Sequence, residues 1–160
     1  MIIGAVKEKK KFENRVSISP DDVKNYVKAG HQVFIEKGAG SLSGFNDKSY
    51  KESGATMTTS KDVLKNSDIL IKVNCPSTEE AKQMNSKSML ISQISVQNNQ
   101  DSIKVLNSRK ITAFALELVP RITRAQDMDI LSSQANLAGY HAVIDAAQEF
   151  NRVLPLFMTA

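Results

Sequence analysis

The densest run of chemically useful side chains is Pro120-Arg121-Ile122-Thr123-Arg124-Ala125-Gln126-Asp127-Met128-Asp129, followed closely by Ser132 and Ser133. Arg121 offers a planar fork of donors, and Gln126 offers an amide that both donates and accepts. Asp129 and Ser132 are three apart, a spacing that places both on one side of a first helical turn. A primary carboxamide needs such a donor and acceptor pair. The same residues also suit an elaborate helix cap with Asp127 on the positive end of the dipole, and the residue types leave both readings open.

Two cations form a second candidate. Lys72 interrupts the apolar run Ile69–Val73, where an ammonium is costly unless it sits at the C-terminal end of a strand. In open α/β sheets that end faces the ligand crevice. Arg15 follows Glu13-Asn14 in the loop after the first strand, on the same edge by topology. Together they suit an anionic group; a snorkelling lysine stem and a neighbouring acid for Arg15 are the alternatives. The run Gly38-Ala39-Gly40-Ser41-Leu42-Ser43-Gly44 follows a strand, but its third glycine falls one place late for a dinucleotide fingerprint. A tight turn with positive φ fits it better. His31 and His141 lack metal-ligand spacing, Cys75 precedes Pro76 at a strand end, and no serine has a nucleophile-elbow setting. No metal site is expected.

These residues need a frame, and the chain alternates short β-rich runs with helical stretches. Strands are expected at Ile2–Val6, Gln32–Lys37, Thr56–Thr58, Ile69–Val73, Met89–Ile91 and Thr112–Ala115. Ser19-Pro20-Asp21-Asp22 opens a helix that Gly30 closes, and Ser77-Thr78-Glu79-Glu80 reads as a capping box. Further helices are expected around Asp47–Ser53, after a cap at Ser60, and near Gln100–Asn107. The pattern predicts a three-layer α/β fold, a mostly parallel Rossmann-like or flavodoxin-like sheet with flanking helices. A long helix follows at Met128–Phe150, with Leu131, Ala135, Ala138, Ala142, Ala146 and Phe150 along one side. Residues 1–127 are expected to form an N-terminal α/β domain, 128–150 an interdomain helix, and 151–160 the start of a further, truncated domain.

Composition bounds the class. At 160 residues with 41% hydrophobic, the chain can bury a core without disulfide or metal staples. The balance of 21 Lys+Arg against 17 Asp+Glu gives +4, with both signs spread along the chain and no basic stripe for nucleic acid. No window approaches the roughly 18 uninterrupted apolar residues of a membrane span, and Met1–Val6 is too short for a signal sequence.

The run 120–129, with Leu131-Ser132-Ser133-Gln134-Ala135-Asn136-Leu137-Ala138-Gly139-Tyr140 after it, closely resembles the proton-translocating NAD(P) transhydrogenase alpha subunit family. Glu13-Asn14-Arg15-Val16, Ala29-Gly30-His31, Glu36-Lys37-Gly38-Ala39-Gly40, Ser43-Gly44-Phe45 and Ile71-Lys72-Val73 support it and are shared with alanine dehydrogenases. The resemblance implies bound NAD(H), with NADP(H) on a partner domain, and hydride transfer between the two nucleotides. It implies catalytic roles for Gln126, Arg121 and Asp129. Nucleotide contacts are implied from Arg121, Ile122, Thr123, Gln126, Asp127, Met128, Asp129, Ser132 and Tyr140. Arg15 and Lys72 match positions that hold a substrate carboxylate in alanine dehydrogenase. The amino-acid dehydrogenases place an acid–base histidine where this chain has Ser95, and no histidine lies in Gln93–Gln100. Hydride transfer between two nicotinamides needs no such base. The resemblance further implies a homodimer, a Rossmann domain beginning after residue 160, and NADP(H)-binding and membrane domains as partners. It implies a cytoplasmic location, peripheral to the inner membrane, and an inactive fragment when alone. An alanine dehydrogenase-like enzyme and a non-catalytic ligand-binding module on the same scaffold are the competing readings.

Overall fold

A computed structural model describes residues 1–152. The chain divides into two compact units, Met1–Leu118 and the residues from Val119 onward. The first unit is a six-stranded sheet of β1 (Ile2–Ala5), β2 (Gln32–Glu36), β3 (Thr56–Thr58), β4 (Ile69–Asn74), β5 (Met89–Gln93) and β6 (Thr112–Ala115). The spatial order is β3-β2-β1-β4-β5-β6, and every pairing is parallel. The expected α/β class holds, with the sheet parallel throughout. Five helices connect the strands: α1 (Pro20–Lys28), α2 (Asp47–Glu52), α3 (Ser60–Asn66), α4 (Thr78–Gln83) and α5 (Gln100–Ser108).

The helix starts follow local chemistry. Ser19 and Asp22 form a reciprocal capping box with Pro20 in the first turn of α1, and Ser77 and Glu80 do the same for α4. Helix α3 begins one residue earlier than its sequence suggests. Thr59, not Ser60, is the cap, because its hydroxyl accepts from Asp62 N at 3.2 Å; that hydroxyl and the one of Thr58 also donate to the Asp62 carboxylate. After α1, Gly30 takes φ +84°, a conformation that costs glycine nothing.

Winding outward from β1, helices α1 and α2 pack on one face, where Val23 and Tyr50 join Ile3, Ala5, Val33 and Ile35. Helix α3 then crosses to the other face, and α3, α4 and α5 bury Val63, Ala81 and Leu106 against Val6, Leu70 and Leu90. That crossing brings α3 close to β1. A Cβ on Gly4 would lie 2.8 Å from Val63 Cγ1 and against the Ser67 side chain, so the close approach requires glycine. Strand order therefore reverses between β1 and β4, and their C-terminal ends open a crevice there.

The glycine run forms a corner with a short 3-10 helix at Ser41–Ser43, Gly38 at φ +74° and Gly44 at φ +82°. Gly40 abuts the Tyr50 ring, where a Cβ would sit 2.7 Å from Cε2. It is a packed turn, as the late third glycine suggests.

The second unit contains a 3-10 helix at Thr123–Met128 and α6 (Ile130–Glu149). Helix α6 starts two residues later than expected, because Asp129 is its cap. Of the six residues expected along one packed side, only Leu131 is half-buried; the others are exposed. No helix of the described residues is long and apolar enough to cross a membrane. The expected start of a further domain falls largely on residues 153–160, outside the described residues.

Candidate functional site

Two arrangements of polar side chains stand out, one in each unit. In the first, the crevice between β1 and β4 holds a cavity of about 500 Å³ lined by Lys72, Asn74, Glu80, Gln93, Ser95 and Asn99 among others. Lys72 is buried at 3% exposure. Its Nζ lies 3.2 Å from Glu80 Oε2 and 3.7 Å from Glu8 Oε2. The other Glu80 oxygen lies 3.0 Å from Lys9 Nζ. Glu8 also accepts from Val73 N at 2.7 Å. Burial alone would raise the Glu80 carboxyl, but Lys72, Lys9 and the Ser77 N–H outweigh it and hold the group below the usual range.

Arg15 lies on the same edge. It grips Glu13 with two donors, Nε at 2.7 Å and Nη2 at 2.6 Å, and Glu13 also accepts from Asn74 Nδ2 at 2.9 Å. The Arg15 donors, opposed by burial and aided by Asn74, pull the Glu13 carboxyl from 4.5 to about 2. A depressed carboxyl stabilises the fold at and above its unfolded pKa, and that stabilisation is lost as pH falls through the folded value. Glu13→Gln should therefore flatten the dependence of melting temperature on pH between about 4.5 and about 2. Parallel profiles for the two proteins would show that the pair contributes nothing.

Among the residues lining this cavity there is no histidine, and Ser95 stands there instead. Ser95 has φ +49°, and its backbone N–H and that of Ile94 both donate to the Glu117 carboxylate, at 2.7 and 2.9 Å. Burial pushes the Cys75 thiol up to about 11, so it stays protonated at neutral pH. His141 pairs with Asp145 on α6 at 3.1 Å, and His31 follows Gly30 at the end of α1.

In the second unit, Arg121, Ile122, Thr123, Ala125, Gln126, Asp129 and Ser132 line a concavity of about 640 Å³. The 3-10 helix holds its backbone by Ala125 N to Ile122 O at 2.9 Å and Asp129 N to Gln126 O at 3.1 Å. Ala125 is buried, while Arg121, Ile122, Thr123 and Gln126 are exposed. Asp129 accepts from Ser132 Oγ at 2.6 Å and from Ser132 N at 3.0 Å. The Ser132 hydroxyl first, then its N–H and the Arg121 charge, hold the Asp129 carboxyl below its ordinary range. The helix has a cap, and Asp129 supplies it. The Gln126 amide makes no hydrogen bond among the described residues. Asp127 and Met128 are exposed on the same 3-10 helix and do not line the concavity; nor does Tyr140, which is exposed further along α6.

A family profile described as "Alanine dehydrogenase/PNT, N-terminal domain" matches residues 4–138. The chain belongs to this family. Across its whole length it is 43% identical to an NAD(P) transhydrogenase alpha subunit of Rhodospirillum rubrum, covering 43% of that protein. It is 35% identical to an alanine dehydrogenase of Methanococcus maripaludis, over 92% of this chain and 39% of the relative. The solved structure of transhydrogenase from Sinorhizobium meliloti superposes with a TM-score of 0.92 at 44% identity, over all of this chain and 48% of that one. The chain thus spans less than half the length of these relatives.

Within this alanine dehydrogenase/PNT member, sequence reasoning missed the carboxylates of Glu8, Glu80 and Glu117. Glu80 was visible only as a cap. A signal for Glu8 exists: the alternation of β1, continued past its end, puts Gly4, Val6 and Glu8 on the side that also carries Leu70 and Lys72. Among the described residues no group of three or more His, Cys, Asp or Glu is placed to hold a metal ion.

Proposed function

We propose that this chain is the N-terminal portion of the NAD(H)-binding component of a proton-translocating transhydrogenase, which moves hydride between NADH and NADP+. The observation that carries the reading is the whole-length similarity to transhydrogenase alpha subunits, at higher identity than to the alanine dehydrogenase compared above. The loop chemistry supports it. An uncommitted, exposed Gln126 amide fits the donor and acceptor of a nicotinamide carboxamide, and Arg121 supplies donors beside it. The nucleotide, when bound, supplies the hydride chemistry. The residues of this chain bind and orient. Gln126 fixes the ring's rotation through its amide, Arg121 directs charge toward the ribose or phosphate, and Asp129 with Ser132 anchors the loop to α6. Ile122, Thr123, Asp127, Met128 and Tyr140 would add contacts around the nucleotide.

In this reading 1–127 is the N-terminal domain, 128–150 the helix joining it to a Rossmann domain, and 151–160 that domain's start. The NADP(H)-binding and membrane domains are partners, the protein is a homodimer, and it is peripheral to the inner membrane on its cytoplasmic side. Arg15 and Lys72 remain a candidate anion pocket, though an incoming carboxylate must displace Glu13 from one and Glu8 and Glu80 from the other.

The family also contains alanine dehydrogenases, so one assay separates the two chemistries. The complete protein with its partner domains is given NADH and an NADP+ analogue, and separately NADH with pyruvate and ammonia. Transfer to the analogue without turnover of pyruvate is expected. Sustained reductive amination of pyruvate would overturn the proposal.

A further inference from the structure

The loop between β1 and α1 has a composition that averaging over the chain conceals. Residues 7–15 read Lys-Glu-Lys-Lys-Lys-Phe-Glu-Asn-Arg. Its acids turn inward: Glu8 onto Val73 N and Lys72, Glu13 onto Arg15 and Asn74. The nearby Glu36 carboxylate accepts from the Lys7 backbone N–H. The lysines face out. Lys7, Lys10 and Lys11 are exposed, and Lys9 keeps 61% side-chain exposure even while it reaches Glu80.

At the tip of this basic surface stands Phe12, 87% exposed. It occupies the third position of a turn closed by Glu13 N to Lys10 O at 3.0 Å, with φ +66°. Glycine or asparagine fills such a position without steric penalty, and a phenylalanine does not. Lys11 Nζ lies 4.8 Å from the ring centroid, so charge and aromatic surface are presented together. A large apolar side chain held out by an unfavourable backbone conformation, among four lysines, is unexplained by packing among the described residues.

We infer that the Lys7–Phe12 loop is a docking surface for an anionic lipid bilayer. The lysines are drawn to the negative headgroup layer, and Phe12 enters the boundary below it, combining two signals each too weak alone. Docking of this kind is independent of hydride transfer, because it needs no nucleotide and no partner domain.

The test uses the full chain with vesicles of phosphatidylcholine, with and without phosphatidylglycerol. The chain contains no tryptophan, so Phe12→Trp supplies a single tryptophan at the tip, excited apart from the three tyrosines. Expected are sedimentation with the anionic vesicles only, weakened by salt, and a blue shift of Phe12→Trp emission on binding. Lys10→Glu combined with Lys11→Glu should weaken partitioning about tenfold or more. Phe12→Gly should keep or raise the melting temperature and still weaken partitioning. Failure to bind anionic vesicles, as expected if the loop instead recognises an acidic protein, overturns the proposal. Binding that is indifferent to the lysine reversals, or that leaves the tryptophan emission unshifted, overturns it equally.

Discussion

Replacing Gln126 by asparagine should slow single-turnover hydride transfer by about a hundredfold in the complete, partnered protein. The change removes one methylene and keeps the amide. It draws the donor and acceptor back from the concavity that Arg121, Asp129 and Ser132 also line. Hydride transfer needs the reacting carbons held within roughly 3–3.5 Å, so a small error in ring position is costly. Folding should be nearly indifferent, since Gln126 is exposed and its 3-10 helix is held by backbone bonds. Affinity for NADH should fall much less than the rate, because a downstream nucleotide domain would carry most contacts to the rest of the molecule. Stopped-flow transfer and a thermal melt on the same preparation decide the matter. An unchanged rate would reduce the loop to a helix cap.

Lys72→Met should have the largest effect on stability, a loss of about 3–5 kcal/mol near neutral pH. Methionine fills much of the space of the lysine stem, so the lost volume is small. What remains is a pair of carboxylates, Glu8 and Glu80, side-chain exposures 2% and 5%, without the ammonium between them. Among the described residues, Lys9 and the Ser77 N–H would still reach Glu80. In the parent protein the Glu80 carboxyl is depressed, so its contribution is present at neutral pH and is lost on acidification. In the variant, protonation relieves the repulsion instead. The gap in melting temperature should therefore start to narrow above the ordinary carboxylate pKa of about 4 as pH falls, where the variant's unpaired carboxylates take up protons, and narrow further below it as the parent loses its own contribution. A variant that melts like the parent but loses an anionic ligand would make Lys72 a binding residue and not a clamp.

Local signals carried most of the fold. Ser19-Pro20 and Ser77 with Glu80 mark two helix starts through contacts three residues apart, and the run at Ile69 marks a strand buried on one face and half-buried on the other. A boundary slipped where two candidate caps are adjacent, as with Thr59 against Ser60. The carboxylate partners of Lys72 were harder to see. Glu8 reaches β4 across 65 residues of sequence, a convergence that depends on the reversal of strand order between β1 and β4. Charge counting failed at the Lys7–Phe12 loop for a related reason. It gives equal weight to a glutamate facing inward and a lysine facing water. On α6 the apolar spacing was legible, but spacing cannot say what covers a helix, and its side chains from Ser132 onward are exposed.

The pairing of β1 with β4 also sets a schedule for a chain made from its N-terminus. Strand β1 can pair with β2 early, but its other neighbour is distant: the Asp68 carboxylate that accepts from Ile2 N lies 66 residues downstream. At a synthesis rate of about 5–20 residues per second, that interval lasts roughly 3–13 s. For those seconds the strand destined for the centre of the sheet is an open edge, able to recruit another nascent chain. The glycine at its midpoint, Gly4, cannot carry a guarding charge there, because α3 must later lie against it. Protection of this chain during synthesis therefore falls to chaperones or to the speed of elongation, and codon changes that slow translation between β2 and β4 should lower soluble yield.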